Sequence, residues 1–345
     1  MGQLLSHPVE EKAIDFRSFD SMTYCIGSMQ GYRMTMEDAH DVRISEDESL
    51  AVFGVFDGHG GKDVAELLRK RLVASVFKEL NILVRANKNV ELATLTKTIK
   101  NCFFAVDSGL PEPAASNCGS TAIVTTIVAN KYVIVSNTGD SRSILSMKGG
   151  LPKNLSFDHK PSNMGERVRI ENSGGYVINS RVNEILALSR AFGDYKFKLP
   201  WLQLAAPGNN NSFLEQNRKL VKNNLVALPP ELYQVTVEPE FVIYDIAALS
   251  NPEFVVLACD GIWDCYTNNQ LILLIRKKLR DRWSLQHITE YILNDCISMA
   301  SSATGIGFDN MTLMIIAIHP DSTMDDWSIM MEKRVNEEEM RAEAA

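Results

Sequence analysis

The sequence predicts one domain of mixed β-strands and α-helices. Apolar runs of strand length, at residues 50–56 and 254–259, each lead directly into Asp-Gly. Val64, Leu68 and three further apolar residues recur at every fourth position, which predicts an amphipathic helix over 62–80. The length of 345 residues is long for one domain but short for two large ones. A single domain with appendages is therefore the expected organisation.

The remaining elements follow from the same two periodicities, with Gly and Pro marking the turns. Further strands are predicted at residues 24–30, 121–129, 132–136, 143–147 and 311–318, and helices at about 91–107, 165–172, 269–282 and 285–302. The irregular stretch at 198–237 is rich in Pro and Asn and is expected to be an inserted surface excursion. We expect the domain to span 22–319, between an N-terminal arm (1–21) and an acidic C-terminal tail (320–345).

Composition and charge argue against several classes of protein. No apolar stretch approaches the ~20 residues that a membrane helix needs, and the start lacks the pattern of a secretory signal. The formal charge of −8 argues against electrostatic binding of nucleic acid. The six cysteines are scattered without a Cys-x-x-Cys pair, which is typical of a reduced, intracellular protein.

The first six residues (MGQLLS) fit the pattern for N-myristoylation of Gly2. A chance match at a frayed terminus is the alternative. Only Lys12 and Arg17 are basic nearby, so a single acyl chain would give weak and reversible membrane contact. We expect a cytoplasmic monomer, with a peripheral membrane pool and a nuclear pool both left open.

Acidic residues stand at or near the ends of several predicted strands. They are Asp57, Asp140, Asp260 and Asp309, together with the pair Glu37 and Asp38. Each alone has an ordinary explanation, because Asp-Gly is a common turn and an exposed acid can be solvated. In one sheet, however, these carboxylates would repel each other unless a cation lay among them. Oxygen ligands without a Cys or His cluster favour Mg²⁺ or Mn²⁺ over Zn²⁺, and the EF-hand spacing for Ca²⁺ is absent.

Arg33 and His59 are the basic candidates near these acids. The guanidinium of Arg33 could hold a phosphate through its paired N–H donors, or it could simply neutralise Glu37 or Asp38. His59 follows Asp57 by two residues, where its ring could protonate a leaving oxygen. A third metal ligand or a solvent-facing loop histidine is the alternative for His59.

Seven motifs, in the order in which they occur, resemble those of the metal-dependent type-2C (PPM) serine/threonine protein phosphatases. They are GYRMTMEDAH (31–40), FDGHGG (56–61), GSTA (119–122), GDSR (139–142), SRAFGD (189–194), ACDGIWD (258–264) and DNMT (309–312). Each motif alone is weak, but seven in this order over residues 22–318 are specific. The resemblance implies an α+β fold in which two packed antiparallel β-sheets are flanked by α-helices, with metal ions in a channel at one end.

The resemblance also implies a metal site of two ions, Mg²⁺ or Mn²⁺. Asp57 would bridge them. Asp260 and Asp309 would hold the first ion, and Glu37 with the backbone carbonyl of Gly58 would hold the second.

Other acids would support this site, and two basic residues would act on the substrate. Asp38 would act through metal-bound water, while Asp140 and Asp264 match acids that support a weaker third ion in some members. A hydroxide bridging the two ions would attack phosphorus in line. Arg33 would bind the phosphate, and His59 would be the general acid for the departing alkoxide.

The resulting hypothesis is a phosphatase that hydrolyses phosphoserine and phosphothreonine in proteins. The alternatives are a catalytically silent member that binds phosphoproteins and a metal-dependent phosphomonoesterase for small molecules. The segment between Asp194 and Glu238 is longer than in typical members, so we expect substrate choice to differ.

Overall fold

The computed structural model describes residues 4–87, 90–203, 221–222, 225–246, 252–320 and 322–343. Within them the strands are β1 (Leu4–Ser18), β2 (Met22–Arg33), β3 (Ala39–Ile44), β4 (Leu50–Phe56), β5 (Gly58–His59), β6 (Gly119–Ser120), β7 (Ala122–Val128), β8 (Tyr132–Thr138), β9 (Arg142–Met147), β10 (Pro152–Asn154), β11 (Val177–Ile178), β12 (Arg181–Val182), β13 (Phe192–Gly193), β14 (Trp201–Gln203), β15 (Val221–Lys222), β16 (Leu225–Ala227), β17 (Glu240–Asp245), β18 (Pro252–Ala258) and β19 (Met311–Ile318). The helices are α1 (Asp63–Ala86), α2 (Leu92–Ser108), α3 (Glu112–Asn117), α4 (Met164–Asn172), α5 (Asp260–Trp263), α6 (Asn268–Arg280), α7 (Leu285–Ser298) and α8 (Met324–Glu343).

Two antiparallel sheets pack face to face. One has six strands in the order β1-β2-β19-β18-β9-β10, and the other has five in the order β17-β8-β7-β4-β3. In β4, Phe53 and Val55 point into the core between the sheets, whereas Val52 and Phe56 point outward against the helices. Every residue of β4 is buried because both faces of the strand are covered, which explains its continuous apolar sequence.

Helices cover the outer faces of the two sheets. Helices α1 and α2 lie over the five-stranded sheet and bury an apolar stripe that includes Leu68, Leu72 and Phe103. Helices α6, α7 and α8 cover the six-stranded sheet. This layering confirms the expected α+β fold of two packed antiparallel sheets flanked by helices. None of the helices in the described residues is both long and apolar enough to cross a membrane.

Both ends of the chain extend this domain. The predicted arm contains β1, which pairs with β2 from Leu4 opposite Arg33 to Ser18 opposite Thr23. The predicted tail contains α8, whose Trp327, Met331 and Val335 are buried against the helical layer. These segments differ from the expected appendages because an edge strand tolerates polar residues, and because apolar residues at every fourth position give even an acidic helix a face to bury.

A smaller subdomain, which we call the flap (residues 156–198), stands beside one end of the sandwich. Its helix α4 and hairpin β11–β12 enclose a small core that includes Ile170, Val182 and Leu188. Of the predicted insertion at 198–237, residues 204–220 and 223–224 lie outside the described residues. The remainder includes an antiparallel sheet in the order β14-β16-β15.

Candidate active site

A cleft of about 550 Å³ opens at the end of the sandwich, where β2 and β4 end and helix α5 begins. Most of the candidate site residues line it. The acids are Glu37, Asp57, Asp140, Asp260 and Asp309, and the others are Arg33, Gly58 and His59. The fold therefore brings together residues that are up to 276 positions apart in the chain.

Three carboxylates converge at the base of the cleft. One oxygen each from Asp57, Asp140 and Asp260 lies within 4.8 Å of the others. Burial, followed by repulsion from the neighbouring carboxylates, raises the pKa of Asp57 and of Asp260 well above the ordinary range. A shared cation would relieve this repulsion, and the all-oxygen donor set suits a hard divalent ion. The residues present therefore fit the metal site that the sequence implies.

Asp38 belongs to a second, deeper group with Asp57 and the thiol of Cys259, again within 4.8 Å. Burial raises the pKa of Asp38 to about 7, although the hydroxyl of Thr312 donates a hydrogen bond of 2.8 Å to its carboxylate. Asp38 is thus placed behind Asp57, on the side away from the cleft lining.

The GSTA and GDSR motifs support Asp57. The backbone N–H of Asp57 donates to the hydroxyl of Thr121 at 3.2 Å, and the N–H of Thr121 donates back to the carbonyl of Asp57 at 2.9 Å. The hydroxyls of Thr121 and Ser141 are 2.8 Å apart. A Cβ at Gly139 would lie 2.6 Å from Thr121, and the backbone there has φ +122°, so glycine is required at that position.

Glu37 is held by Asn310, a residue that sequence reasoning did not single out. The side-chain oxygen of Asn310 accepts from the N–H of Glu37 at 2.9 Å, and its amide donates to the carbonyl of Thr35 at 3.0 Å. The loop then packs directly on Gly58, where a Cβ would lie 2.5 Å from the carbonyl oxygen of Glu37. Asn310 stands inside the DNMT motif, which was the available signal.

Two of the candidate acids form ion pairs with a lysine or an arginine. Arg33 pairs with Asp309. Lys160, which the sequence did not identify, pairs with Asp140. Asp264 does not line the main cleft but borders an adjoining pocket with Arg33 and Asp309, and burial raises its pKa.

His59 has a carboxylate partner that was also missed. Its Nε2 atom lies 2.7 Å from Oδ2 of Asp194, which the flap brings to the cleft. Burial lowers the pKa of His59, but the hydrogen bond and charge of Asp194 outweigh burial and raise that pKa overall. Asp194 ends the SRAFGD motif, so its position in the motif was the only signal in the sequence.

Comparisons with known proteins agree with this geometry. The family model "Protein phosphatase 2C" matches residues 22–305. "Protein phosphatase 2C homolog 4" of Saccharomyces cerevisiae is 36% identical over 98% of this chain and 99% of that protein. "Protein phosphatase 2C homolog 2" of Schizosaccharomyces pombe is 35% identical over 97% of this chain and 84% of that protein.

Solved structures share the fold. A phosphatase from Toxoplasma gondii superposes with a TM-score of 0.69 at 23% identity, covering 91% of this chain and 97% of that one. A serine-threonine phosphatase 2C from the same organism gives a TM-score of 0.67 at 18% identity, with 89% and 99% covered.

The fold and the acidic cleft define a metal-dependent phosphatase. The chain belongs to the protein phosphatase 2C family. It is accordingly a serine/threonine protein phosphatase that acts on phosphorylated proteins, which confirms the resemblance, the fold and the activity expected from the seven motifs.

Proposed function

We propose that this phosphatase uses two ions, Mg²⁺ or Mn²⁺, and that the residues of the cleft divide the work as the motifs imply. Asp57 would contact both ions, with Asp260 and Asp309 on the first and Glu37 and the carbonyl of Gly58 on the second. The observation that carries the proposal is that oxygens of the partly buried Asp57 and Asp260 lie within 4.8 Å of each other, in a cleft that Glu37, Gly58 and Asp309 also line. When bound, the ions would supply a strong nucleophile from water at neutral pH and neutralise charge on the phosphate.

Arg33 positions the substrate. Its partly exposed guanidinium reaches the cleft from the end of β2 and can donate two parallel hydrogen bonds to phosphate oxygens. Asp309 holds that guanidinium at the cleft, so a phosphate would meet it already oriented. This placement favours the phosphate-binding role over neutralisation of Glu37 or Asp38.

His59 delivers the proton that the leaving group needs. Asp194 engages Nε2 of the ring, so Nδ1 is the nitrogen that remains to donate to the serine or threonine oxygen. As the P–O bond breaks, the oxygen keeps the bonding electron pair and takes this proton, and the product leaves as a neutral alcohol. Asp194 stabilises the imidazolium form before the transfer.

A weaker third ion at Asp140 and Asp264 is part of the same proposal. Asp140 already pairs with Lys160, so an ion there would compete with the ammonium group. This competition supports weak rather than tight binding at that position. Asp38, behind Asp57, would act on the site only through water.

We also propose that Gly2 is myristoylated. Gly2 lies outside the described residues, but the register of β1 and β2 sets Leu4 opposite Arg33. An acyl chain on Gly2 would therefore attach the protein to a membrane close to the mouth of the cleft, with weak contact. The protein would be a cytoplasmic monomer, and a nuclear pool is also compatible with this proposal. Mass spectrometry of the protein made with an N-myristoyltransferase, followed by vesicle sedimentation, tests this directly.

The decisive experiment is phosphate release from a phosphothreonine peptide with Mn²⁺, with Mg²⁺ and with EDTA. Release that requires metal and stops in EDTA is expected. Silence from folded, metal-loaded protein would instead indicate a phosphoprotein-binding member without catalysis. A nucleotide assayed in parallel tests the remaining alternative, because a phosphomonoesterase for small molecules would hydrolyse the nucleotide faster than the peptide.

A further inference from the structure

The hairpin β11–β12 turns one of its two faces toward the catalytic cleft. Its turn residues Asn179 and Ser180 have φ +50° and +58°, the left-handed pair that a tight two-residue hairpin needs. Ile178 and Arg181 are direct cross-strand partners and so share a face of the hairpin. Because Arg181 lines the cleft while Val182 is buried in the core of the flap, Ile178 lies on the cleft side.

Ile185 lies three residues beyond the end of β12, with its backbone hydrogen-bonded and its side chain exposed. Its N–H donates to the carbonyl of Val182 at 2.9 Å, and its carbonyl accepts from the guanidinium of Arg181 at 2.7 Å. The side chain is nevertheless 67% exposed. Leu186, the next residue, lines the cleft itself.

The turn before Ile185 is anchored to the body of the flap. The side-chain oxygen of Asn183 accepts from the N–H of Tyr176 at 3.0 Å, and its amide donates to Gln234 at 2.8 Å. Because the backbone that carries Ile185 is already held in place, a bound peptide does not have to order it, and less conformational entropy is lost on contact.

A further exposed apolar residue belongs to the lining of the cleft. Met34 directly follows the phosphate-binding candidate Arg33, lines the cleft and is 54% exposed. We call Met34, Ile178, Ile185 and Leu186 the apolar rim. Met34 and Leu186 line the cleft itself, Ile178 shares a face of the hairpin with the cleft-lining Arg181, and Ile185 directly precedes Leu186 in the chain. Apolar side chains grouped in this way differ from single exposed apolar residues, which are ordinary on a protein surface.

We propose that the apolar rim selects phosphoproteins that carry a large aliphatic or aromatic side chain next to the phosphorylated serine or threonine. This inference rests on the proposed protein phosphatase function, since it takes the phosphoresidue to be bound at Arg33. Met34 follows Arg33 directly in the chain and Leu186 lines the same cleft, so a phosphoresidue bound at Arg33 would bring its neighbouring residues to the rim. The rim is continuous with the catalytic cleft, which every substrate must enter.

Two phosphothreonine peptides, identical except for Leu or Ser on both sides of the phosphoresidue, test the proposal. Wild type is expected to show a kcat/KM about tenfold higher for the Leu peptide, the size of effect that an apolar pocket gives. The variant Ile185→Thr should lose most of this preference, while Ile185→Leu should keep it. Met164→Ser is the matched control, because Met164 is 78% exposed on α4 and, unlike Ile185, has no cleft-lining residue as a neighbour in the chain.

Equal kcat/KM for the two peptides in wild type would overturn the proposal, as would an unchanged preference in Ile185→Thr. Loss of the preference in the Met164→Ser control would also count against it, because the effect would then not be specific to the rim. Metal-dependent hydrolysis of p-nitrophenyl phosphate by wild type separates failure of the rim proposal from failure of the proposed function. If wild type hydrolyses this substrate but hydrolyses both peptides at equal rates, only the rim proposal is refuted. If it hydrolyses neither this substrate nor either peptide, the proposed function is refuted.

Discussion

Nε2 of His59 and Oδ2 of Asp194 lie 2.7 Å apart, although 135 positions separate the two residues in the sequence. Gly119 makes this approach possible, because a Cβ there would lie 2.2 Å from the Asp194 carboxylate and 2.4 Å from the His59 ring. The N–H of Gly193 donates to Asp107 at 2.8 Å, which fixes the backbone just before Asp194. The orientation of the His59 imidazole is therefore set by Asp194, whose backbone is held through Gly193, and by the close packing of Gly119.

We expect Asp194→Asn to reduce kcat on a phosphopeptide by about 10- to 100-fold, because general acid catalysis as a whole supplies ~10²–10⁴. An amide can still contact the ring, but it lacks the charge that stabilises the imidazolium form. The loss should be smaller on p-nitrophenyl phosphate, whose leaving group needs little protonation. Equal losses on the two substrates would show that Asp194 acts through the structure of the flap instead of through His59.

The repulsion among the buried acids predicts an unusual stability effect. In protein stripped of metal by EDTA, Asp260→Asn should raise Tm, since it removes one charge from the group around Asp57 and Asp140. Each kcal/mol of relieved repulsion corresponds to a shift of roughly 2–4 °C. Mn²⁺ should then raise the Tm of wild type more than that of the variant. Calorimetry with and without the ion measures both effects, and a lower Tm for the metal-stripped variant would contradict the prediction.

Arg33 offers a kinetic test of phosphate binding. Arg33→Ala should raise KM for a phosphopeptide by about tenfold or more, while Arg33→Lys should recover only part of the loss, because lysine keeps the charge without the paired donors. The Mn²⁺ concentration for half-maximal activity should change much less. If the metal requirement rises as steeply as KM, the main role of Arg33 is its ion pair with Asp309.

Much of the fold could be predicted because the central strands carry their own signal. A strand covered on both faces, such as β4 or β19, is buried throughout and almost entirely apolar, and it ends where a polar residue follows. Edge strand β1 is missed for the opposite reason, since charged residues such as Glu10 and Glu11 fill its exposed positions. The sequence predicts an acidic, partly helical tail for the segment of α8; its acidic composition masks the residues at every fourth position that pack against the domain.

Some residues of the candidate site could likewise be predicted from the sequence and others could not. Residues that stand in short motifs at strand ends, such as Asp57 and Asp260, could be predicted to meet. Their partners could not, because the pairing of Lys160 with Asp140 or of Asp194 with His59 depends on how the flap folds over the cleft. Lys160 lies in a polar stretch and has no local feature that distinguishes it from a solvated lysine, and the motif that contains Asp194 does not reveal which residue it contacts.

The C-terminal helix gives a prediction about stability. Trp327 is only 1% exposed and packs into the core of the helical layer, so Trp327→Ala should lower the free energy of unfolding by about 3–5 kcal/mol. Ile329→Ala on the exposed side of the same helix is the control and should change it by less than about 0.5 kcal/mol. Urea unfolding of both variants decides the matter: similar values would mean that α8 contributes little to the domain.

The base of the flap should respond to acid through Glu166. Its carboxylate accepts from Arg190 at 2.7 Å, from Arg169 at 2.8 Å and from the hydroxyl of Ser189 at 2.6 Å. Burial alone would raise the pKa of Glu166, but the two guanidinium groups outweigh it and lower that pKa from 4.5 to about 2. A carboxyl group whose pKa is lower in the folded state stabilises that state fully above its unfolded pKa, by about 3 kcal/mol for a shift of this size.

That stabilisation should disappear as the pH falls from about 4.5 to about 2, because the folded and unfolded states then bind the same proton. The difference in the free energy of unfolding between wild type and Glu166→Gln is therefore expected to be largest at neutral pH and to shrink over this interval. Glu171→Gln is the matched control on the same helix, since its exposed pair with Arg167 contributes little. Urea titrations at several pH values measure the difference, and one that stays constant from pH 7 to pH 3 would show that the charge of Glu166 does not hold the flap.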